Sequence, residues 1–371
     1  MKAQEWLKLA VEKGTSDIFF GAGRHVSFKI SGVITPMGDA PIGVTEATDI
    51  VSDLYALAQR PIEKFKEDGD DDFPITIAGL ARFRVSAYNQ RGSYAAVIRV
   101  VLFDLPNYKD LSIPDEVMNI ADEKNGLVLV TGPTGSGKTT TLACIIDAIN
   151  QTKSKHIITL EDPIEFLHRD KKSLLSQREI STDTKSYLSA LRACLRQTPD
   201  IILLGEMRDV ETIKTAITAA ETGHLVISTL HTVGAAKTID RIIDSFPHEQ
   251  QQQTRTQLSI LLRAVVTQLL LIKKDGGLTP AFEIMRVDKE ISTMIRESKT
   301  HSIDGVIHAS EPSMVSMDSY LMKLVQSGDI SMETALANAA NPEHMGSLFK
   351  SRYFDEHREG PQPQKSSVPF Y

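Results

Sequence analysis

The sequence predicts an α/β protein in two parts, a small α+β domain followed by a doubly wound α/β domain, and three observations carry that reading. The first hundred residues alternate apolar and polar positions in short runs. From Val117 onward, continuous apolar runs alternate with longer stretches of helical spacing. The chain of 371 residues is also longer than one hydrophobic core usually fills, so about two domains are expected.

In the first part, Met1 to Glu12 has helical spacing. The strand-like runs are Val26 to Ile30, Phe73 to Ile77, Arg82 to Tyr88 and Ala95 to Val101, separated by Gly32, Gly69, Gly79 and Gly92. They predict an antiparallel sheet with a helix near Glu46 to Gln59. Leu102 to Pro114 holds two prolines and little periodicity, which suggests a linker.

In the second part, Leu127 to Thr131, Ile157 to Leu160, Ile201 to Leu204 and Leu225 to Thr229 are apolar without interruption, as strands buried on both faces are. Helical spacing fills Lys138 to Asn150, Asp183 to Gln197, Val210 to Glu221 and Gly234 to Asp244. A helical region is expected after that. His357 to Tyr371 has three prolines and no period, so a disordered tail is expected there. The domain limits become 1–101, a linker at 102–116, an α/β domain at 117–345, and a flexible tail at 346–371.

Composition excludes several classes. Hydrophobic residues make up 41% and charged residues 24%, an ordinary globular balance. A net charge of −7 lacks the basic footprint of a protein that coats nucleic acid. Only Cys144 and Cys194 are present, too few for a disulfide scaffold or a zinc site of paired cysteines. The apolar stretch Ile260 to Ile272 contains Arg263 and Gln268 and is too short to span a bilayer. The opening helix lacks the apolar stretch of a signal peptide, so a cytoplasmic location is expected.

The strongest chemical signal is Gly132-Pro133-Thr134-Gly135-Ser136-Gly137-Lys138-Thr139, followed by Thr140, which fits G-x-x-x-x-G-K-[ST] between a strand and a helix. Glycines let consecutive backbone N–H groups face an anion, and the helix beginning near Gly137 adds its positive end. Lys138 would reach the β- and γ-phosphates of ATP, and the Thr139 hydroxyl would ligate Mg2+.

Polar clusters follow the other buried strands, at the sheet edge where ligands bind. Glu206 follows Ile201 to Leu204 and suits the acid beside the metal. Glu161 and Glu165 compete for the residue that activates water, with Asp162 a structural partner. His224 and His231 bracket one strand and therefore sit at its opposite ends. His231 suits a sensor of the γ-phosphate, and His224 has a plain hydrogen-bonding reading beside a functional one.

The segments GPTGSGKTTTLA, ITLEDPIEF, PDIILLGEMRD and AAETGHLVISTLHT occur in the order and spacing of the secretion ATPases. The chain resembles their type IV pilus retraction branch, the PilT-like ATPases. That resemblance implies a PAS-like N-terminal domain, a RecA-like P-loop domain, and nucleotide binding by Gly132 to Thr140. It also implies Glu206 at the magnesium and a catalytic glutamate best matched by Glu165, with Glu161 in reserve. It further implies a homohexamer docked at the inner face of the cytoplasmic membrane, an inner-membrane pilus platform protein and a paralogous retraction ATPase as partners, and no direct contact with nucleic acid. Retraction ATPases commonly carry a motif close to AIRNLIRE. Of it only Ile295-Arg296-Glu297 and the apolar spacing of Glu290 to Glu297 survive, and this segment is expected to transmit motion without doing chemistry.

Assembly ATPases usually carry an extra N-terminal domain and four zinc-binding cysteines. This sequence shows neither, so retraction is the expected activity. A P-loop kinase would need an Arg-rich lid that the sequence does not offer. A nucleic-acid motor would share the core, but it would need a basic, aromatic-studded strand.

A P-loop motor often meets the γ-phosphate charge with an arginine, which a closed ring can supply from a neighbour. Alternation along Arg82 to Tyr88 sends Phe83, Val85 and Ala87 inward and leaves Arg82 and Arg84 outward, as candidates for that role or as a solvated face.

Overall fold

The computed structural model describes residues 2–30, 32–101 and 105–356. The first three residues of the expected linker, Leu102 to Asp104, lie outside the described residues, as does His357 to Tyr371.

The chain opens with α1 (Ala3–Glu12), β1 (Thr15–Gly21), β2 (Val26–Ile30), β3 (Val33–Met37), α2 (Val44–Leu57), α3 (Glu63–Asp68), β4 (Asp70–Ile77), β5 (Ala81–Gln90) and β6 (Ser93–Val101). It continues through α4 (Asp115–Met118), β7 (Gly126–Thr131), α5 (Lys138–Thr152), β8 (His156–Glu161), β9 (Leu174–Glu179), α6 (Tyr187–Cys194), β10 (Ile201–Leu204), α7 (Val210–Glu221) and β11 (Leu225–Leu230). The remaining elements are α8 (Ala235–Asp244), α9 (His248–Leu261), β12 (Leu262–Ile272), β13 (Leu278–Arg286), α10 (Lys289–Arg296), α11 (Ile303–Ala309), α12 (Met317–Gln326), α13 (Met332–Asn338) and α14 (Pro342–Glu356). No helix among the described residues is long and apolar enough to cross a membrane.

Two compact units result. One joins Met1–Pro106 to Glu161–Ser186, and the other joins Asn107–Leu160 to Tyr187–Tyr371. The segment Glu161–Ser186 thus leaves the P-loop unit for the N-terminal one, which the sequence boundaries did not foresee. Residues 346–356, expected to open a flexible tail, instead continue α14.

The N-terminal unit is built on an antiparallel sheet of order β3-β2-β1-β6-β5-β4. In α1, Ala3, Trp6, Leu7 and Ala10 fall at helical spacing on one buried face. Trp6 meets Phe20 and Phe28 edge to face. Tyr55 of α2 donates to Asp71 of β4 at 2.9 Å, and Arg60 grips the same carboxylate through two nitrogens at 3.1 and 2.9 Å. In β5, Phe83, Val85 and Ala87 are buried as alternation requires.

In the P-loop unit the strand order is β13-β12-β7-β11-β10-β8. All of these are parallel except β13, which pairs antiparallel with β12. Every residue of β7, β10 and β11 is buried, so both faces of the sheet are covered. Register pairs Thr131 with Leu230 and with Thr267, and Leu204 with both Leu160 and Ser228. The segments after β7, β10 and β11 therefore leave from one edge of the sheet.

Three differences from the sequence expectation have physical causes. The region after Asp244, expected to be helical, contains the long hairpin of β12 and β13. Nearly every position of β12 is apolar, so periodicity does not separate strand from helix, and Asp275-Gly276-Gly277 was the turn signal to weigh. The helix expected from Asp183 begins only at Tyr187. Asp183 is occupied in a turn, where its carboxylate accepts from Glu179 N at 2.8 Å and Ser181 N bonds Thr184 O at 2.7 Å. Third, β1, β3 and β9 form without a clear period in the sequence. β3 is exposed almost throughout, and β9 half-buried along most of its length.

Glu283 of β13 is buried, and its Oε1 accepts from Ala235 N at the start of α8, at 2.8 Å. A backbone bond from Met317 in α12 reaches the same carboxyl. Burial, with the charges of Asp304 and Asp318, pushes its pKa from 4.5 up to about 7, against those two donors. Between those values the unfolded chain releases a proton that the folded chain retains, so folding loses stability as pH rises. A change of that size is worth about 3 kcal/mol. Glu283→Gln keeps an acceptor for Ala235 N and removes the titration. Its melting temperature relative to the parent should therefore rise by several degrees from pH 5 to pH 8, as thermal unfolding at the two pH values would report. An equal difference at both would show that Glu283 does not carry the effect.

Candidate functional site

The P-loop leaves β7 at Thr131 and ends where α5 begins. Gly132 has φ +136°, and a Cβ there would lie 2.2 Å from the carbonyl oxygen of Gln268, so only glycine fits. Gly137, the N-cap of α5, is left-handed at φ +87°. Lys138 Nζ donates to the carbonyls of Gly132 and Pro133, at 2.8 and 2.9 Å, which folds the ammonium inside the loop. Burial lowers its pKa, and the charge of Glu206 opposes that shift. Ser136 Oγ is buried with no hydrogen-bond partner among the described residues. An unpaired buried hydroxyl in the P-loop, next to the N-cap of a helix, fits a phosphate oxygen. Pro133, Thr134 and Gly135 are exposed at the tip, and Thr139 and Thr140 are half-buried in the first turn of α5.

On the same edge of the sheet, Glu206 follows β10 and His231 follows β11. One Glu206 oxygen accepts from the Arg208 guanidinium, and the other lies 3.3 Å from His231 Nε2. The Arg208 bond, with smaller help from His231, holds Glu206 below the usual carboxylate range, so it is ionised at neutral pH. Thr229 Oγ1 donates to Gly205 O at 2.5 Å and Met207 N donates to Thr229 O at 3.3 Å, which fastens this loop to β11. Glu206, Arg208, Thr229, His231 and Arg241 help to line a cavity of about 390 Å³.

No group of three or more His, Cys, Asp or Glu able to hold a metal occurs among the described residues. A P-loop magnesium does not require one, because substrate oxygens and water supply most of its ligands. A hydroxyl at Thr139 and an ionised carboxylate whose field reaches Lys138 make a donor set that fits it.

His224 is not brought to this edge. It sits just before β11, about 23 Å of strand away from His231. Its Nδ1 lies 2.9 Å from Ala219 O and 3.1 Å from Thr222 Oγ1, where it caps the end of α7.

The Glu161–Ser186 segment, in the other unit, separates the two competing glutamates. Glu161 is buried and its Oε1 accepts from Gln177 Nε2 at 3.2 Å, whereas Glu165 is exposed. The arginines separate too. Arg84 is exposed as expected. Arg82 does not point into solvent: its Nη2 is 3.1 Å from Glu179 Oε2, and both side chains are largely covered. Alternation told which face Arg82 is on, but not that a distant segment covers that face.

In α10, Ile291 and Ile295 are fully buried and Arg296 is exposed. Ser292 Oγ donates to Ser259 O at 2.5 Å, which ties this helix to α9.

The sequence reading missed the strut behind the P-loop. Thr267 Oγ1 of β12 lies 3.1 Å from Thr131 Oγ1 and accepts from Gly234 N at 3.3 Å. Gln268 Oε1 accepts from Thr141 Oγ1 at 2.7 Å. The signal for both was a pair of polar residues inside an apolar run.

Residues 2–305 match the family model described as type II/IV secretion system protein. The chain is 42% identical to the type IV pilus retraction ATPase PilT of Pseudomonas aeruginosa, an alignment covering 93% of this chain and 100% of that one. It is 45% identical to a twitching motility protein of Neisseria gonorrhoeae, over 81% of this chain and 80% of that one. A crystal structure of the pilus retraction motor PilT with bound ADP superposes with a TM-score of 0.86 at 42% identity, covering 94% of this chain and 99% of that one. With the P-loop and its acid on one sheet edge, these likenesses show that the chain belongs to the type II/IV secretion system family and is one of its PilT-like P-loop ATPases.

Proposed function

We propose that this chain is the ATP-hydrolysing subunit of a motor that retracts a type IV pilus. It acts as a homohexamer in the cytoplasm, at the inner face of the cytoplasmic membrane, with a pilus platform protein and a paralogous retraction ATPase as partners. The observation that carries the reading is the meeting of P-loop, Glu206 and His231 at one sheet edge, on a chain that aligns with a retraction ATPase along its whole length.

Each residue has a task that its surroundings favour. The loop amides and Lys138 bind the phosphates. Thr139 and Glu206 hold Mg2+, which when bound neutralises charge on the β- and γ-phosphate oxygens. His231, beside Glu206, reads the γ-phosphate position. Glu165 orients or deprotonates the attacking water; its exposure favours it over Glu161, whose carboxylate is already engaged. Arg84 is the exposed arginine that a neighbouring subunit could use, and Arg296 passes motion onward.

Deleting the gene tests retraction directly. More surface pili with less twitching is expected, and loss of pili would mean assembly instead.

Lys138→Ala should abolish hydrolysis and weaken binding of a fluorescent ADP. Glu206→Ala and Glu165→Ala should leave that binding largely intact while cutting turnover about a hundredfold or more. Wild-type turnover in Glu165→Ala would move the base to Glu161, and wild-type turnover in the double variant as well would remove this segment from the chemistry.

Arg84→Ala should lower turnover without affecting ring formation. Mixing it with Lys138→Ala should restore some activity, because some interfaces then pair an intact arginine with an intact P-loop. Mixed rings without recovery would return Arg84 to the solvated surface.

A further inference from the structure

Glu179, at the end of β9, has a carboxylate with three partners inside its own unit. Oε2 accepts from Arg82 Nη2 and from the backbone N of Ile164, both at 3.1 Å, and Oε1 accepts from Thr182 Oγ1 at 3.1 Å. Two positions earlier, on the same face of β9, Gln177 repeats the pattern. Its Nε2 donates to Phe166 O at 2.9 Å and its Oε1 accepts from His168 N at 2.8 Å. Ile164 and Phe166 flank Glu165 on either side. Exposed Glu165 thus owes its backbone position to two largely covered side chains of one strand.

We propose that Glu179 is a positioning residue for Glu165, and that Arg82 serves it in cis as the charge that holds the Glu179 carboxylate in place. One oxygen takes both the guanidinium and the Ile164 amide, so removing the arginine unbalances the group that fixes the loop. A displacement of about 1 Å at a catalytic carboxylate can cost about a hundredfold in rate. The inference rests on the reading of Glu165 as the residue that activates water.

The test uses the full-length protein, with kcat and KM for ATP, binding of a fluorescent ADP, and mixing with Lys138→Ala. Glu179→Ala and Arg82→Ala should each lower kcat about 10- to 100-fold, with KM and ADP affinity within about twofold of the parent. Glu179→Gln keeps an oxygen for the Ile164 amide and loses the charge for Arg82, so it should recover part of the rate and fall only about three- to tenfold short of the parent. Combining Arg82→Ala with Glu179→Ala should cost no more than the worse single change, because the two act as one unit.

Mixing Arg82→Ala with Lys138→Ala should restore nothing, since the damaged segment lies in the same subunit as the intact P-loop. Recovery in that mixture would place Arg82 at the neighbour's phosphate and overturn the proposal. Wild-type kcat in Glu179→Gln would overturn it as well, and that variant decides if Glu179→Ala does not fold. Inactive Glu165→Ala beside normal Glu179 variants would defeat this inference alone, whereas active Glu165→Ala would defeat the reading beneath it.

Discussion

A close approach between Gly132 and the backbone of Gln268 fixes the P-loop, and much of the site depends on it. With a hypothetical Cβ only 2.2 Å from the Gln268 carbonyl, the loop lies directly against β12. That strand then reaches in three directions. Thr267 joins the last residue of β7 to Gly234 ahead of α8, and Gln268 ties down Thr141 in α5. A shift of β12 would therefore move the phosphate loop, the helix behind it and the segment after His231 together. Buried polar groups with several partners favour this behaviour, because leaving any one unsatisfied costs about 1–3 kcal/mol.

Charge arranges the same edge. Lys138 is pushed toward its neutral form by burial, and Glu206 supplies the field that opposes this. Glu206 in turn is kept ionised first by Arg208 and then by His231. The Glu206 carboxylate is thus ionised by protein groups alone, with the His231 imidazole beside it. His231 has Glu206 as its neighbour, whereas His224 bonds Ala219 O and Thr222 at the end of α7.

Legibility in the sequence followed burial. β10 and α7 begin and end where their apolar patterns do, because a strand covered on both faces must be apolar throughout and a one-sided helix must repeat near 3.6 residues. The P-loop was legible because its glycines, lysine and threonine are required by the chemistry itself. β12 was not, since an apolar run suits a strand and a buried helix equally. β9 was hidden because its inward residues, Gln177 and Glu179, are polar and bury their side chains against loop amides instead of an apolar core. Arg82 was misplaced for the same reason: period-two alternation describes the strand that carries it and says nothing about the segment that returns to cover it.

That returning segment divides the candidate site residues between the two units. Lys138, Thr139, Glu206 and His231 belong to the P-loop unit, while Glu165, Arg82 and Arg84 belong to the N-terminal one. The chain crosses from one to the other at Leu160 and Glu161, in the strand that leads straight into the glutamates, and returns between Ser186 and Tyr187. The residues proposed to bind phosphate and metal therefore belong to one unit, and the glutamate proposed to activate water to the other. Glu179 and Gln177 act on that division locally, because their side chains hold the backbone of Ile164, Phe166 and His168 around Glu165.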